Sequence, residues 1–330
     1  MEFSLAVLNP GGCDQTRIFA QGAGSPGDPG HPPVNYHGYA ACCRGAFYRR
    51  SGQIPGSVEG VLVLLRKSGL GDALQAVRSL RELGKRVLVS WKESGLPQVA
   101  RALDRPRIAS RFRAVCVEAH GFVSSTPDLV PLYRSAGCVR GDFVPTPYPV
   151  EETVWDFSIP ISERVGIFVG TREFATPSRN HFLALSSLSG FDHPITVINT
   201  EGWAGARLLR SISPNLRVVR GQLPYPEYLR LMARHRIVFQ LDRSAVPGQV
   251  AGDALLCGLP CVGGDGAIDR LVFPELCGTS LTVQSAVNVA KRLLEDDQYY
   301  TASLARAREL ALEKISFAKV KEQLLAQFSL

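Results

Sequence analysis

One stretch of the chain, residues 237–278, constrains the fold more than any other. It opens with an apolar run at 237–241 that ends in a polar break, which predicts a buried strand. An Ala- and Leu-rich run at 249–257, stopped by a glycine, predicts a short helix, and a second apolar run at 259–262 predicts another strand. A strand, a helix and a strand within about forty residues form a βαβ unit. The chain is therefore predicted to belong to the α/β class, with parallel strands.

Polar residues gather where these predicted strands end. In open α/β sheets, ligands bind outside the carboxyl ends of the strands. The polar residues at such ends, or beside them, are Asp242, Arg243, Gln249, Asp253 and Asp265. We expect them to form part of a binding site.

The same stretch matches a family motif at three places. Gly248 occupies the second glycine of a Gly-Phe-Gly, Asp253-Ala254 a Glu-Ala pair, and residues 258–262 a Gly-x-Pro-x-Val tail. In these positions the chain resembles a GT-B glycosyltransferase of the retaining, nucleotide-sugar-dependent group (glycosyltransferase family 4-like), which carries an E-x7-E pair. The first acid of that pair falls on Ala245 and is missing. Asp242, shortly before it, is the candidate to replace it.

The resemblance implies a domain organisation as well. In the GT-B fold, two Rossmann-like, doubly wound parallel-sheet domains face each other across a cleft. A length of 330 residues suits two domains of about 150 residues each. We predict a Rossmann-like acceptor domain at 1–155, a donor-binding domain at 156–305, and a terminal helix at 306–330. The resemblance implies that this helix crosses back to the first domain; the competing interpretation is a basic amphipathic helix on a membrane surface.

Residues 21–60 are the least regular part of the chain and are rich in Gly and Pro. Long segments without regular structure are either functional or disordered. The segment also carries aromatic and basic residues, among them Tyr36, His37, Phe47 and Arg49. We predict an ordered insertion that binds the acceptor, and the alternative is a partly disordered surface loop.

Composition narrows the class of protein and its surroundings. The net charge of +7 favours a partner that carries phosphate, and the scattering of the arginines disfavours a dedicated nucleic-acid domain. No apolar run approaches the ~18 residues of a membrane-spanning helix, and the first residues lack the basic region of a signal peptide. The eight Cys residues contain no C-x-x-C pair, so no metal site is predicted. We expect a cytoplasmic protein, with peripheral membrane association as an open alternative.

Candidate site residues of the first domain follow predicted strands. The run Asn9-Pro10-Gly11-Gly12 directly follows a strand predicted at 3–8, and a phosphate or a sugar can approach the backbone at Gly11 and Gly12. An ordinary βα turn explains the same pattern, and the resemblance favours contact with the donor. A strand predicted at 114–119 places His120 at its carboxyl end, where it is a candidate catalytic residue. A structural histidine is the alternative.

Another charged group follows the strand predicted at 86–91. Lys92 and Glu93 lie there beside Trp91. A charged pair next to an exposed Trp is suited to contact with a sugar. The alternative is a capped helix start with Glu93 as a surface acid.

Residues near the start of the second domain are predicted to bind the diphosphate of the donor. The family has Gly-Arg at this place and, a few residues later, Lys-Asn; Arg172, Arg179 and Asn180 match them. Two surface arginines are the alternative. After a later strand, the resemblance implies that Gln222 and Leu223 contact the nucleobase. The remaining donor-binding candidates are Arg243, Gly248 and Gln249.

The resemblance implies transfer of a sugar from a nucleotide-diphosphate donor to an acceptor hydroxyl, with retention. The catalytic candidates are Arg172, Arg179, His120 and Asp242, and the two arginines stabilise the leaving diphosphate without a metal. Asp253, a carboxylate predicted at a helix start, accepts hydrogen bonds from two ribose hydroxyls. No cofactor is implied beyond the nucleotide sugar, and the acceptor is a sugar, a lipid-linked molecule or a protein.

Three other functions remain open. The missing first acid is compatible with a catalytically silent GT-B module that only binds nucleotides. The run Gly69-Leu70-Gly71-Asp72 also occurs in heptosyltransferases, which suggests an inverting enzyme. The basic balance suggests a nucleic-acid-modifying transferase. Turnover with nucleotide sugars, analysis of the product anomer and nucleic-acid binding at high salt distinguish these alternatives.

Overall fold

The computed structural model describes residues 4–92, 95–170, 176–210, 212 and 216–329. The chain divides into two compact units. Unit 1 comprises Met1–Glu151 and Lys314–Leu330, and unit 2 comprises Glu152–Glu313. The C-terminal segment therefore belongs to the unit that the N-terminal part of the chain forms.

The described part of unit 1 is built on a seven-stranded sheet. Its strands are β1 (Leu5–Leu8), β2 (Arg17–Ile18), β3 (Ala46–Tyr48), β4 (Gly60–Leu65), β5 (Arg86–Trp91), β6 (Gly121–Ser124) and β7 (Gly141–Phe143). Their order is β2-β3-β1-β4-β5-β6-β7, and every neighbouring pair is parallel except β2 with β3. Since the chain passes from β1 to β3 on one side and to β4 on the other, the switch point of this sheet lies at β1 and β4.

Helices cover both faces of this sheet. They are α1 (Asn35–Cys42), α2 (Leu70–Glu82), α3 (Leu96–Leu103), α4 (Pro106–Glu118), α5 (Val130–Ser135) and α13 (Phe317–Ser329). Alternate strand residues such as Val61 and Val63 form one core with α2, α4 and α5. Their neighbours Leu62 and Leu64 are buried outside that core, on the face towards which α1 and α13 pack. Burial on both faces explains why β4 reads as an unbroken apolar run, GVLVLL.

The described part of unit 2 contains a five-stranded, fully parallel sheet. Its strands are β8 (Ile167–Val169), β9 (Ile195–Asn199), β10 (Leu216–Arg220), β11 (Ile237–Phe239) and β12 (Cys261–Val262). The order β10-β9-β8-β11-β12 means that the chain moves outward from β8 to β10 and then returns to the other side of β8. The switch point of the second sheet therefore lies between β8 and β11.

The helices of unit 2 connect these strands and follow the last of them. They are α6 (His181–Ser187), α7 (Gly202–Arg210), α8 (Tyr225–Ala233), α9 (Gln249–Leu256), α10 (Ala267–Val272), α11 (Val283–Glu295) and α12 (Asp297–Lys314). The βαβ unit predicted from residues 237–262 is present as β11, α9 and β12. None of the helices that the structure describes is long and apolar enough to cross a membrane.

Two predicted elements were wrong. The strand predicted at 114–119 is the end of α4 and the turn after it. Pro106 at the first position of α4 suits a helix start, and Phe112, Val115 and Cys116 are buried at helical spacing. The apolar run at 114–119 therefore belongs to a helix and not to a strand. The next strand, β6, begins only at Gly121.

The single terminal helix predicted at 306–330 is also wrong, because parts of two helices lie there. α12 ends at Lys314 and α13 begins at Phe317. The chain between them is held to the backbone of unit 1, where Tyr148 N donates to Ile315 O at 2.9 Å. The irregular segment 21–60 likewise contains regular elements, α1 and β3, which the Gly- and Pro-rich composition did not indicate.

Candidate functional site

The switch point of the unit 2 sheet brings separate loops together at its carboxyl edge. β8 ends at Val169 and is followed by Gly170, whose backbone runs against α9: a Cβ at Gly170 would lie 2.3 Å from a side-chain methyl of Val250. β11 ends at Phe239 and is followed by a loop that leads to α9. Such a switch point is where open α/β sheets bind their ligands. The side chains around it define the candidate site.

An anchored arginine lies at this edge. The Arg179 guanidinium forms an ion pair with Asp242 Oδ2, and Asp242 Oδ1 accepts a hydrogen bond from Ser244 N at 2.8 Å. The Asp242 side chain is buried, whereas the Arg179 side chain is 21% exposed. Asp242 thus uses both oxygens within the protein and fixes the position of a cation that reaches solvent.

The two loops that carry this pair are bound to each other. Asn180 Nδ2 donates to Leu241 O at 3.0 Å, and Arg243 N donates to Ser178 O at 2.8 Å. The hydroxyls of Ser178 and Ser244 lie 2.7 Å apart. Asn180 also adopts a left-handed conformation, with φ of 48°, which turns the chain from a short 3₁₀ turn into α6. These contacts hold Arg179 on a braced loop.

The start of α9 completes the edge. Gly248 has φ of 94°, and a Cβ there would lie 3.0 Å from Ile268 N and 3.1 Å from Asp269 Oδ2. A glycine is therefore required just before the helix. The first turn of α9, which begins at Gln249, carries the positive end of the helix dipole. This turn provides a second electropositive element at the carboxyl edge of the sheet, the edge at which Arg179 also lies.

Two further buried carboxylates lie behind Asp242. Asp265 Oδ1 accepts a hydrogen bond from Ala245 N at 3.0 Å, and Asp269 Oδ1 accepts one from Gln240 Nε2 at 3.0 Å. Burial raises the pKa of Asp265, although the hydrogen bond from Ala245 opposes the rise. Burial, together with the charges of Asp242 and Asp265, raises the pKa of Asp269 to about 7. The Asp269 carboxyl therefore keeps its proton below about pH 7.

Some predicted donor-binding residues differ from expectation. Asp253 is not at a helix start but is the fifth residue of α9; it is buried, and its Oδ1 accepts a hydrogen bond from Tyr225 OH at 2.6 Å. Arg243 directs its guanidinium at backbone, with Nη1 donating to Gly263 O at 2.8 Å. Asp242 is engaged with Arg179, so its predicted use as the missing acid has no geometric support. Gln249 is the first residue of α9 and is half-buried.

The other predictions for unit 2 concern loops. Gln222 and Leu223 follow the carboxyl end of β10, and Gln222 is exposed. Arg172 lies outside the described residues. Among the residues that the structure describes, no group of histidines, cysteines and acids has the geometry of a metal site.

In unit 1, Gly11 and Gly12 follow β1 at the switch point of their sheet. Gly11 has φ of 66°, and a Cβ at Gly12 would lie 2.1 Å from the Asn9 amide. His120 is at the opposite edge, before β6, and its Nδ1 accepts from Val87 N at 3.0 Å. The prediction that His120 is catalytic assumed a position after a strand, whereas His120 lies before β6, away from the edge of the sheet where ligands bind. Trp91, predicted to be exposed, is buried.

Sequence reasoning missed part of the polar edge of unit 1. Asp14 forms an ion pair there with Lys92, which was predicted only to act beside Trp91 and Glu93, and Asp14 also accepts a hydrogen bond from Asn9 Nδ2. Glu93 lies outside the described residues. Asn9 directly follows β1, and Lys92 directly follows β5. A polar residue directly after a strand is a sequence signal that could have predicted the role of Asn9.

Comparisons with known proteins agree with this architecture. No protein-family model matches the sequence, and no curated protein matches it. Among solved structures, HepE from Anabaena in complex with UDP superposes with a TM-score of 0.67 at 11% identity, covering 99% of this chain and 100% of that one. The fold is GT-B.

Other GT-B structures show the same likeness. A UDP-forming α,α-trehalose-phosphate synthase from Burkholderia xenovorans has a TM-score of 0.60 at 12% identity, over 89% of this chain and 78% of that one. A trehalose-6-phosphate synthase studied for glycosyltransfer with retention has a TM-score of 0.62 at 10% identity, over 82% of this chain and 73% of that one. The predicted fold class is confirmed, and the likeness at these identities concerns the fold alone. Membership of glycosyltransferase family 4 stays a prediction.

Proposed function

We propose that the chain transfers a sugar from a nucleotide-diphosphate donor to an acceptor hydroxyl, with retention and without a metal. The observation that carries this proposal is the anchored Arg179 at the switch point of the unit 2 sheet, at the edge where α9 also begins. A cation and a helix N-terminus together suit a diphosphate. The GT-B fold and the UDP complex of HepE support a nucleotide sugar as the ligand.

In this proposal, the residues of unit 2 have separate roles. Departure of the sugar leaves a nucleoside diphosphate with increased negative charge, which Arg179 and the N–H groups at the start of α9 stabilise. Asp242 positions Arg179 by holding its guanidinium. Arg172, a second basic residue before the same loop, is proposed to share the diphosphate.

The nucleoside is assigned to the loop after β10. Gln222 and Leu223 follow the strand end and precede Tyr225, the first residue of α8. Asp253 accepts a hydrogen bond from Tyr225 OH at 2.6 Å, so it fixes the helix that this loop enters. We therefore assign Asp253 a positioning role next to the nucleoside, in addition to the ribose contact that the family resemblance implies.

Retention and independence of a metal are the finer parts of the proposal. Retention is supported by the family resemblance of 245–262 and by the retaining trehalose-6-phosphate synthase that shares the fold. Independence of a metal is supported by the fixed guanidinium of Arg179, which supplies the positive charge that the leaving diphosphate requires.

The test is turnover with UDP-, GDP- and ADP-sugars, followed by analysis of the product anomer. We expect transfer from at least one donor in the presence of EDTA, with the anomeric configuration of the donor kept. Arg179→Ala should lower kcat by about 100-fold or more, since one preorganised charge contact is removed from the transition state. Arg292→Ala, which removes an exposed arginine of α11, is the matched control and should keep full activity.

A catalytically silent nucleotide-binding module is the second candidate. It is favoured by Ala245 at the place of the family's first acid and by the engagement of both Asp242 oxygens within the protein. Tight binding of a nucleoside diphosphate without transfer or hydrolysis of any nucleotide sugar would identify the module. Wild-type turnover in Arg179→Ala would instead remove Arg179 from the mechanism.

A further inference from the structure

The helix pair α3 and α4 of unit 1 carries a concentrated positive charge. Although arginines occur throughout the chain, five of them fall within thirteen residues: Arg101, Arg105, Arg107, Arg111 and Arg113. Asp104 is the only acid between residues 95 and 117, so this segment has an excess of four positive charges, more than half of the chain's net charge of +7. We call the five arginines the α3–α4 patch.

The charge of the patch is available to a partner. All five residues are exposed. None of them forms an ion pair with an acid in the part of the chain that the structure describes, whereas Arg78 and Arg81 of the neighbouring α2 are both paired with Glu118. The buried side of α4, with Phe112 and Val115, packs into the core that α2 shares. The opposite side of the helix therefore presents unpaired cations to solvent.

The arginines occupy positions that are unfavourable for the stability of α4. The helix begins at Pro106 and its first turn contains no acid, so Arg105 and Arg107 lie at the positive end of the helix dipole. Arg107 and Arg111 are four residues apart, a spacing at which like charges on a helix repel each other. The patch thus does not serve to hold the helix together, and a partner with negative charge would offset both repulsions.

The residue type indicates that this partner carries phosphate groups. Every cation between residues 95 and 117 is an arginine. A guanidinium presents two parallel N–H groups that match the oxygens of a phosphate, which an ammonium cannot do. A surface of phosphate groups is therefore the complement of the patch.

Apolar side chains among the arginines favour a lipid surface over a nucleic acid. Val117, one turn after Arg113 on α4, is 64% exposed. Leu103 and Ile108 are only partly buried against the core. Proteins that bind single-stranded nucleic acid use aromatic side chains for stacking, and the one aromatic residue of 95–117, Phe112, is buried. A lipid surface provides both phosphates for the cations and an apolar layer for the side chains beside them.

We propose that the α3–α4 patch docks unit 1 on a membrane that contains anionic phospholipids. The guanidinium groups contact headgroup phosphates, and Val117 lies at the boundary of headgroups and acyl chains. Clusters of about four to eight basic residues on a helix are sufficient for such peripheral binding. The proposal does not depend on the proposed function, since neither α3 nor α4 contributes a residue to the candidate site of unit 2.

The experiment measures sedimentation of the full chain with vesicles of two compositions, phosphatidylcholine alone and phosphatidylcholine with phosphatidylglycerol in equal parts. One variant combines Arg105→Gln, Arg107→Gln and Arg111→Gln. The matched control combines Arg292→Gln, Arg306→Gln and Arg308→Gln, which removes the same charge from exposed positions of α11 and α12 in unit 2. Both variants should unfold at about the same urea concentration as wild type. Binding of a duplex DNA oligonucleotide is measured in parallel.

We expect wild type to bind the vesicles that contain phosphatidylglycerol more tightly than those of phosphatidylcholine alone. The affinity should fall about tenfold or more in the α3–α4 variant, because three of its cations no longer face the anionic surface. The control should keep most of the wild-type affinity. Salt at about 1 M, where the Debye length is about 3 Å, should release wild type from the vesicles.

Three results would overturn the proposal. The first is equal binding to both vesicle compositions, or binding to neither. The second is an equal loss of affinity in the two variants, which would assign the binding to net charge instead of to the patch. The third is binding of the DNA duplex that exceeds binding of the vesicles and is lost in the α3–α4 variant, which would identify the partner as a nucleic acid.

Discussion

At the scale of single residues, three aspartates and one arginine share the end of β11. Asp242 is paired with Arg179, and Asp265 is bonded to the backbone of Ala245. No cation of the described part of the chain is a partner of Asp269; it accepts a hydrogen bond from Gln240, and its raised pKa keeps the carboxyl protonated below about pH 7. The free-energy cost of burying these acids is therefore offset in different ways. At Asp269 this cost depends on pH.

Asp269→Asn should change how stability depends on pH. The pKa of Asp269 is about 7 in the folded chain against an ordinary value of 3.8. Between these values the folded state keeps a proton that the unfolded state releases, so the wild type loses stability as the pH rises from about 4 to about 7. An amide has no such proton, and the variant should gain on the wild type by a few kcal/mol across this window.

Urea unfolding at several pH values checks this expectation, with Asp142→Asn, an exposed acid, as the control. Parallel stability curves for Asp269→Asn and wild type between about pH 4 and pH 7 would show that Asp269 titrates normally.

Gly248→Ala should destabilise unit 2. The backbone at Gly248 has φ of 94°, and an added Cβ would crowd Ile268 N. We expect a loss of about 1–3 kcal/mol in the free energy of unfolding, together with weaker nucleotide binding because the start of α9 must shift. Gly190→Ala is the control, since a Cβ there meets nothing within 4 Å. Equal stability of the two variants would refute the argument.

At the scale of elements, α13 is the piece of the chain that returns to unit 1. It packs against α1 and β6, and Val320, Leu324 and Phe328 bury its apolar face. The Arg86 guanidinium donates to Phe328 O, which satisfies a carbonyl at the helix end. The helix is therefore part of the core of unit 1, and this burial leaves the amphipathic membrane helix without an apolar face to insert.

Leu324→Ala should cost unit 1 about 2–5 kcal/mol in the free energy of unfolding, as expected for a fully buried leucine. Leu312→Ala, in α12, is the matched control: Leu312 is 44% exposed, and its loss should change stability by no more than about 0.5 kcal/mol. Thermal and urea unfolding measure both. A Leu324→Ala variant as stable as the control would mean that α13 is not docked in solution.

At the scale of the whole molecule, the local pattern of apolar residues in the sequence was sufficient to predict much of the fold. The strand predicted at 86–91 has the same bounds as β5, because a short apolar run between turns is a local signal. The run at 114–119 misled because helix faces and buried strands both produce short apolar runs. The GT-B fold was predicted from the motif at 245–262.

The sites were harder to predict, since they depend on which strands are neighbours. Arg179 and Asp242 are separated by 63 positions and meet only because β8 and β11 are adjacent. The ion pair of Asp14 with Lys92 likewise requires the ends of β1 and β5 to lie at one edge. The sequence identified single polar residues at strand ends, but the pairing of Asp242 with Arg179 and the burial of Asp253 follow from tertiary packing.

The most direct test of the central claim is hydrogen–deuterium exchange of the full chain with and without UDP-, GDP- and ADP-sugars. If Arg179 and the start of α9 hold the diphosphate, at least one of these donors slows exchange in both 176–180 and 248–252. Unchanged exchange in both segments with all three donors, at concentrations that saturate known nucleotide-sugar enzymes, would contradict the account.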